Sequence, residues 1–274
     1  MEYIDKYNLG DEGEAIIDDF LNRVKDLDNY PQDLYKIFRT DKGADGISTR
    51  KKLIDILLRE QNHRCCYCMR KLDENTDEIT LEHIILNSIK DRAEFSQYFR
   101  RQTVLCDKTT LASEFISNKG EDDVPPYPHT VAYENLSASC NGRFFSKTEK
   151  PHCCNLKRGE KFLEPFILYH GIQNEFKYKI DGTVIWNAET SMVPSVVVLG
   201  LNNSMLKIIR RMWFYASKED IDLKSADRNE FIKRFTGEIV GDKEALALLN
   251  NFKTDGYWNL LMKYSYFLNI TPQQ

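Results

Sequence analysis

The chain has 274 residues, of which 42% are hydrophobic and 29% charged, with a formal net charge of −4. That length allows one large domain or two modest ones around a sizeable core, and a net acidic chain does not bind nucleic acid through global charge. No apolar run approaches the roughly 20 residues a bilayer needs, and the acidic opening MEYIDKYNLGDEGEAIIDDF lacks the basic start of a secretion signal, so a cytoplasmic protein without a membrane span is expected.

The first 63 residues read as a helical segment. Ala15, Ile16, Phe20, Leu21 and Val24 recur near helical spacing over 14–24. Residues 43–46 form a loop, and Ser48 is a good N-cap for a second helix whose buried stripe is Leu53, Ile54, Leu57 and Leu58. This helix delivers the chain to Arg64-Cys65-Cys66-Tyr67-Cys68. A turn and a strand over 78–85 follow. Residues 87–133 read as an insertion, with a helix over 91–101 and a proline-rich loop over 120–129. After 162 the pattern alternates over 176–180, turns at Asp181-Gly182 and resumes over 183–186, a hairpin signature. Helices are expected over 204–216, over 243–252 behind the cap Asp242, and over 255–268. The last, with Tyr257, Trp258, Tyr264, Tyr266 and Phe267, reads as core, with a partner-docking face as the alternative.

Seven cysteines stand at 65, 66, 68, 106, 140, 153 and 154. An odd, clustered set without a secretion signal points to metal rather than disulfides. Cys65 and Cys68 form a C-x-x-C knuckle, whose two thiolates can face one tetrahedral ion. Cys140 and Cys154 are the expected second half, with Cys153 and His152 as alternatives for the fourth ligand. Cys66 and Cys106 are expected to be buried non-ligands. The alternative for the whole set is simple apolar burial.

Between the half sites stand Glu82-His83-Ile84 and Asn135-Leu136, and after them Cys154-Asn155-Leu156-Lys157-Arg158-Gly159. Strand alternation puts Glu82 and His83 on opposite faces, so a bend or a shared edge is needed for both to serve one site. In this order, a knuckle, an acidic-His-Ile step, an Asn-Leu before a cysteine and a C-N-x-x-K/R run resemble the zinc-containing HNH nucleases. The resemblance implies an α+β fold built on a ββα-metal (HNH) finger over 64–161, flanked by the N-terminal helical segment 1–63 and a C-terminal α/β region, 162–274, of hairpin plus helices. It implies a structural zinc, with His83 as general base. Glu82 and Asn155 would hold a catalytic Mg²⁺ or Mn²⁺, and Asn135 would orient the base. The family more often has Asp where Glu82 stands. The chemistry suits these residue types: a base activates water and a hard cation with oxygen ligands neutralises phosphoryl charge.

Arg143, Lys147, Lys150, Lys157, Arg158 and Lys161 make the second half site locally basic, and Lys157, Arg158 and Lys147 are candidate phosphate contacts. A solvated face is the plainer reading of any one of them. The stretch Val198-Leu199-Gly200-Leu201-Asn202 and the basic helix after it are similar to a subfamily that includes the HNH subunit of Septu-type antiphage systems, some associated with retrons. That resemblance implies an ABC- or SMC-like ATPase partner, with a retron reverse transcriptase and its RNA–DNA as a further one. DNA is the favoured substrate, with RNA or tRNA as the alternative. The competing expectation from another class is a zinc-stapled binding module that recruits nucleic acid or protein without cutting.

Overall fold

The computed structural model describes residues 1–24, 34–74, 78–89, 98, 128–145, 150–186 and 193–273. The helix expected over 91–101 apart from residue 98, the loop expected over 120–129 apart from residues 128 and 129, Cys106 and Lys147 lie outside the described residues.

Helix α1 (Gly10–Val24) buries Ile17, Phe20 and Val24 on one face, as its spacing requires. A short helix α2 (Leu34–Phe38) follows. Helix α3 (Thr49–Glu60) is capped by Ser48, whose hydroxyl accepts from Lys51 N at 3.4 Å, and buries Leu53, Ile54, Leu57 and Leu58. Gln61, just past its end, pairs its side-chain amide with both backbone groups of Ala138 at 2.7 Å. A side chain thus completes the hydrogen bonding of a strand edge.

That strand is β2 (Leu136–Cys140), which pairs antiparallel with β1 (Ile79–His83), Ile79 opposite Cys140 and His83 opposite Leu136. β1 falls within the strand expected over 78–85, whereas β2 has no counterpart among the expected elements. Leu-Ser-Ala-Ser-Cys has no β-branched or aromatic residue and is buried along its whole length, so it shows no alternation. The short helix α4 (Cys154–Arg158) packs on this pair.

Helix α5 (Ile172–Glu175) leads into the expected hairpin, β3 (Phe176–Tyr178) and β4 (Val184–Trp186). Its turn closes with Gly182 at φ 79°, a left-handed position, and an added Cβ there would lie 2.2 Å from Lys207 O, so only glycine suits it. Helices α6 (Val193–Val198), α7 (Ser204–Lys218), α8 (Arg228–Glu238), α9 (Lys243–Leu249) and α10 (Asp255–Met262) complete the chain, with a 3₁₀ turn at Ser265–Asn269. Asp242 caps α9 as expected, through Ala245 N at 3.0 Å. Helix α8 was not anticipated, although the Asp227 cap and the spacing of Phe231, Ile232 and Phe235 announce it. Among the described residues, no helix is long and apolar enough to cross a membrane.

The buried side chains of all three expected segments belong to one core. The C-terminal aromatics are part of it: Trp258, Tyr264 and Phe267 are buried, and Trp213 Nε1 donates to Leu261 O at 2.9 Å. Phe267→Ala is expected to cost about 3–5 kcal/mol, measured by denaturant unfolding; a loss below 1 kcal/mol would mean that this turn is not core.

Candidate metal centre and catalytic site

The Sγ atoms of Cys65, Cys68, Cys140 and Cys154 lie within 4.8 Å of one another, and all four residues are buried. Cys65 to Cys154 and Cys68 to Cys140 are each 3.8 Å. A tetrahedron of thiolates about 2.3 Å from a zinc ion has edges of about 3.8 Å, so the four sulfurs are spaced for one such ion. They can hold a metal of the zinc type. Cys154, rather than Cys153 or His152, joins the group.

Local backbone geometry explains the convergence. In the knuckle, Cys65 N donates to Arg70 O at 2.8 Å and Met69 N to Cys65 O at 3.2 Å, with Met69 at φ 63°. In the second half, Cys153 N donates to Gly142 O at 2.9 Å, and a Cβ on Gly142 would fall 2.2 Å from Cys153 O. This glycine lets the end of β2 touch the start of α4. Two hydroxyls reach the sulfurs, Ser139 Oγ at 3.7 Å from Cys65 Sγ and Tyr264 Oη at 3.8 Å from Cys68 Sγ. Cys66 stands outside the group; burial pushes its thiol well up, so it stays neutral, and Ser137 Oγ donates to it at 3.6 Å.

His83 ends β1 and is buried, with Nε2 2.9 Å from Thr130 O and the Tyr35 ring edge-on at 4.4 Å. A carbonyl only accepts, so Nε2 carries the proton and Nδ1 keeps its lone pair. Burial pulls the His83 pKa down from 6.5 to about 4, against the Thr130 carbonyl and with the help of the Arg158 charge. The imidazole is therefore neutral at pH 7. Asn135 is fully buried; its Oδ1 accepts from Ile85 N at 2.6 Å, and its Nδ2 donates to Ile85 O and His129 O at 2.8 Å. It clamps the segment after His83 to the one that supplies Thr130. His129, unremarked in the sequence, lies buried nearby with Nε2 3.2 Å from Leu86 O, and burial lowers it to about 4 as well.

Glu82 is 3% exposed, and its Oε1 accepts from Tyr67 Oη at 3.1 Å and from Arg158 Nη1. Arg158 also donates through Nη1 to His83 O at 2.6 Å, through Nη2 to Ile84 O at 2.8 Å and through Nε to Lys161 O at 3.2 Å. The expectation that Arg158 contacts nucleic acid is corrected here. At 1% exposure it is an internal tie, because one helical turn from Asn155 returns the chain to the strand face carrying Glu82. Asn155 is on that same face, with Nδ2 3.2 Å from Thr80 Oγ1. Lys157, between them, is exposed.

No protein-family model and no curated protein matches the chain.

The purified protein is expected to carry one zinc per chain by elemental analysis, lost in Cys68→Ser and Cys140→Ser and kept in Cys66→Ser. A metal-free wild type would remove the centre. A second expectation concerns acid. Two histidines with folded pKa values near 4 against 6.5 unfolded contribute stability that is complete above pH 6.5 and is lost as pH falls toward 4. The thermal midpoint should fall over that window, and His129→Gln should flatten the fall; an unchanged slope would count against it.

Proposed function

We propose that the chain is a metal-dependent HNH-type endonuclease that hydrolyses nucleic-acid phosphodiester bonds, with DNA favoured over RNA. The observation that carries this reading is His83: a neutral imidazole at the end of β1, its tautomer set by Thr130 O so that Nδ1 is the basic atom. It stands on a strand–strand–helix unit whose ends converge on four sulfurs. Such a base can take the proton of an attacking water, a step worth about 10²–10⁴-fold in rate.

Oxygen donors are the kind a catalytic Mg²⁺ or Mn²⁺ takes. Among the described bonds, Asn155 uses Nδ2 on Thr80 and Glu82 uses Oε1, which leaves Oδ1 and Oε2. These two residues would hold the ion, which when bound neutralises charge on the phosphoryl and leaving oxygens. His83 takes the proton, Asn135 holds the chain on either side of His83, and Lys157 meets the phosphate backbone. The structural zinc is a separate site, since four cysteine ligands leave it no open position. The net charge of −4 favours a partner that presents the nucleic acid. An ABC- or SMC-like ATPase of an antiphage defence complex fits that need, as does retron RNA–DNA.

One observation favours the second reading, a non-cleaving zinc-stapled binding module: the Glu82 carboxylate is already engaged by a buried guanidinium. Cleavage of supercoiled plasmid and of total tRNA, with Mg²⁺ and with EDTA, decides between them. Wild type is expected to cut only with the metal, and His83→Ala to cut at least about 100-fold more slowly while unfolding as wild type does. Wild-type cutting by His83→Ala would remove the assignment. No cutting by zinc-loaded wild type, with a partner ATPase present, would favour the binding module.

A further inference from the structure

Four side-chain cations are buried among the described residues: Lys6, Arg70, Arg158 and Arg210. Three have a carboxylate at ion-pair distance, Glu60 for Lys6, Glu78 for Arg70 and Glu82 for Arg158. Arg210, on α7, has none among the described residues, although it is 1% exposed. Its Nη1 donates to Gly182 O at 2.9 Å and Leu201 O at 2.8 Å. Its guanidinium lies over the rings of Tyr178 and Phe267, 5.5 and 5.4 Å from their centroids, and its Nε has no partner. Carbonyl dipoles and ring faces soften the burial of a cation, but a full charge out of water calls for an opposite one.

A group that can carry the opposite charge is linked to it through two aromatic rings. The Phe267 ring stacks on Tyr264, centroids 6.4 Å apart, and the Tyr264 hydroxyl reaches Cys68 Sγ. Four thiolates around one divalent ion carry two net negative charges, and these lie in a fully buried group. Burial lowers the Arg210 pKa, while Tyr178, Cys68, Tyr264 and Cys153 oppose that shift.

We propose that Arg210 is the internal counter-charge of the four-cysteine metal centre, and that Tyr264 donates a hydrogen bond to its Cys68 sulfur. Both act on the metal through its ligands, as positioning residues. The role makes the C-terminal region the outer wall of the centre and ties metal retention to α7. The inference rests on the reading of the cysteines as a zinc centre and does not depend on whether the protein cuts nucleic acid.

The test is the rate at which full-length, zinc-loaded protein releases the ion to a chromogenic chelator. Arg210→Met is expected to release zinc about tenfold or more faster than wild type, in line with the loss of an outer-shell partner. Tyr264→Phe should also release it faster. Arg210→Lys, which keeps the charge, and Arg211→Met, which alters the neighbouring cation paired with Asp242, should stay near the wild-type rate. Release from Arg210→Met at the wild-type rate overturns the proposal. If Arg210→Met does not fold, Arg210→Lys decides. Folded protein with slow release supports the counter-charge, and a lysine variant that fails to fold or sheds zinc quickly overturns it. A metal-free wild type would overturn the zinc reading itself.

Discussion

Four sulfur atoms from three places in the chain meet at one point, and the rest of the molecule is arranged to permit it. Cys68 and Cys140 are 72 residues apart, Cys65 and Cys154 are 89 apart, and both pairs approach to 3.8 Å. The elements that carry them are too small to stand alone. A two-stranded sheet is marginal in water, and a five-residue helix such as α4 falls far below the length at which a helix persists unaided. Their arrangement must be imposed by burial, by backbone contacts such as Gly142 against Cys153, and by whatever the sulfurs bind. A divalent ion suits the role because its binding energy is folding energy when no site exists in the unfolded chain.

The pair formed by Glu82 and Arg158 is a second constraint, and it works in a different way. Two buried charges seldom gain net stability over apolar residues of the same shape, yet removing one partner typically costs about 3–5 kcal/mol. The gain here is positional. Arg158 is bonded to the backbone of His83 and Ile84 and to the side chain of Glu82, so α4 fixes the end of β1 where the candidate base sits. The ion expected beside Glu82 would share that carboxylate with a guanidinium. That would give Glu82 two tasks, holding the helix with Oε1 and offering Oε2, which its length over Asp would make easier to combine.

Much of this was legible in the chain itself. The cysteine group follows from spacing and residue chemistry, the caps Ser48 and Asp242 from local hydrogen-bonding rules, and the Asp181-Gly182 hairpin from alternation around a turn. What stayed hidden depends on long-range burial. Arg158 reads as one more cation in a basic run, and nothing local says that the helix turns it inward. The strand Leu136–Cys140 is made of small residues because hydroxyls and sulfurs pack against each other there, and that suppresses the usual strand signal. Tyr264 lies 196 residues from the sulfur it touches, a contact that no pattern in one sequence foretells. The C-terminal aromatic segment was legible as core, but not its contact with the cysteine group.

The buried cations sharpen the question of how an acidic protein would handle a polyanion. Lys6, Arg70, Arg158 and Arg210 are all inside, so their charges do little for a ligand at the surface. The cations of the outer helices are largely spoken for as well, Arg211 by Asp242, Arg228 by Asp255 and Arg234 by Glu219. Among the described residues of the second half site, Lys150, Lys157 and Lys161 are exposed, with Lys157 on the helix whose inner side holds Asn155 and Arg158. Three lysines release few counterions, so affinity from these alone would be low. If the chain acts on nucleic acid as proposed, another surface would have to deliver the substrate, which is the physical ground for proposing a partner.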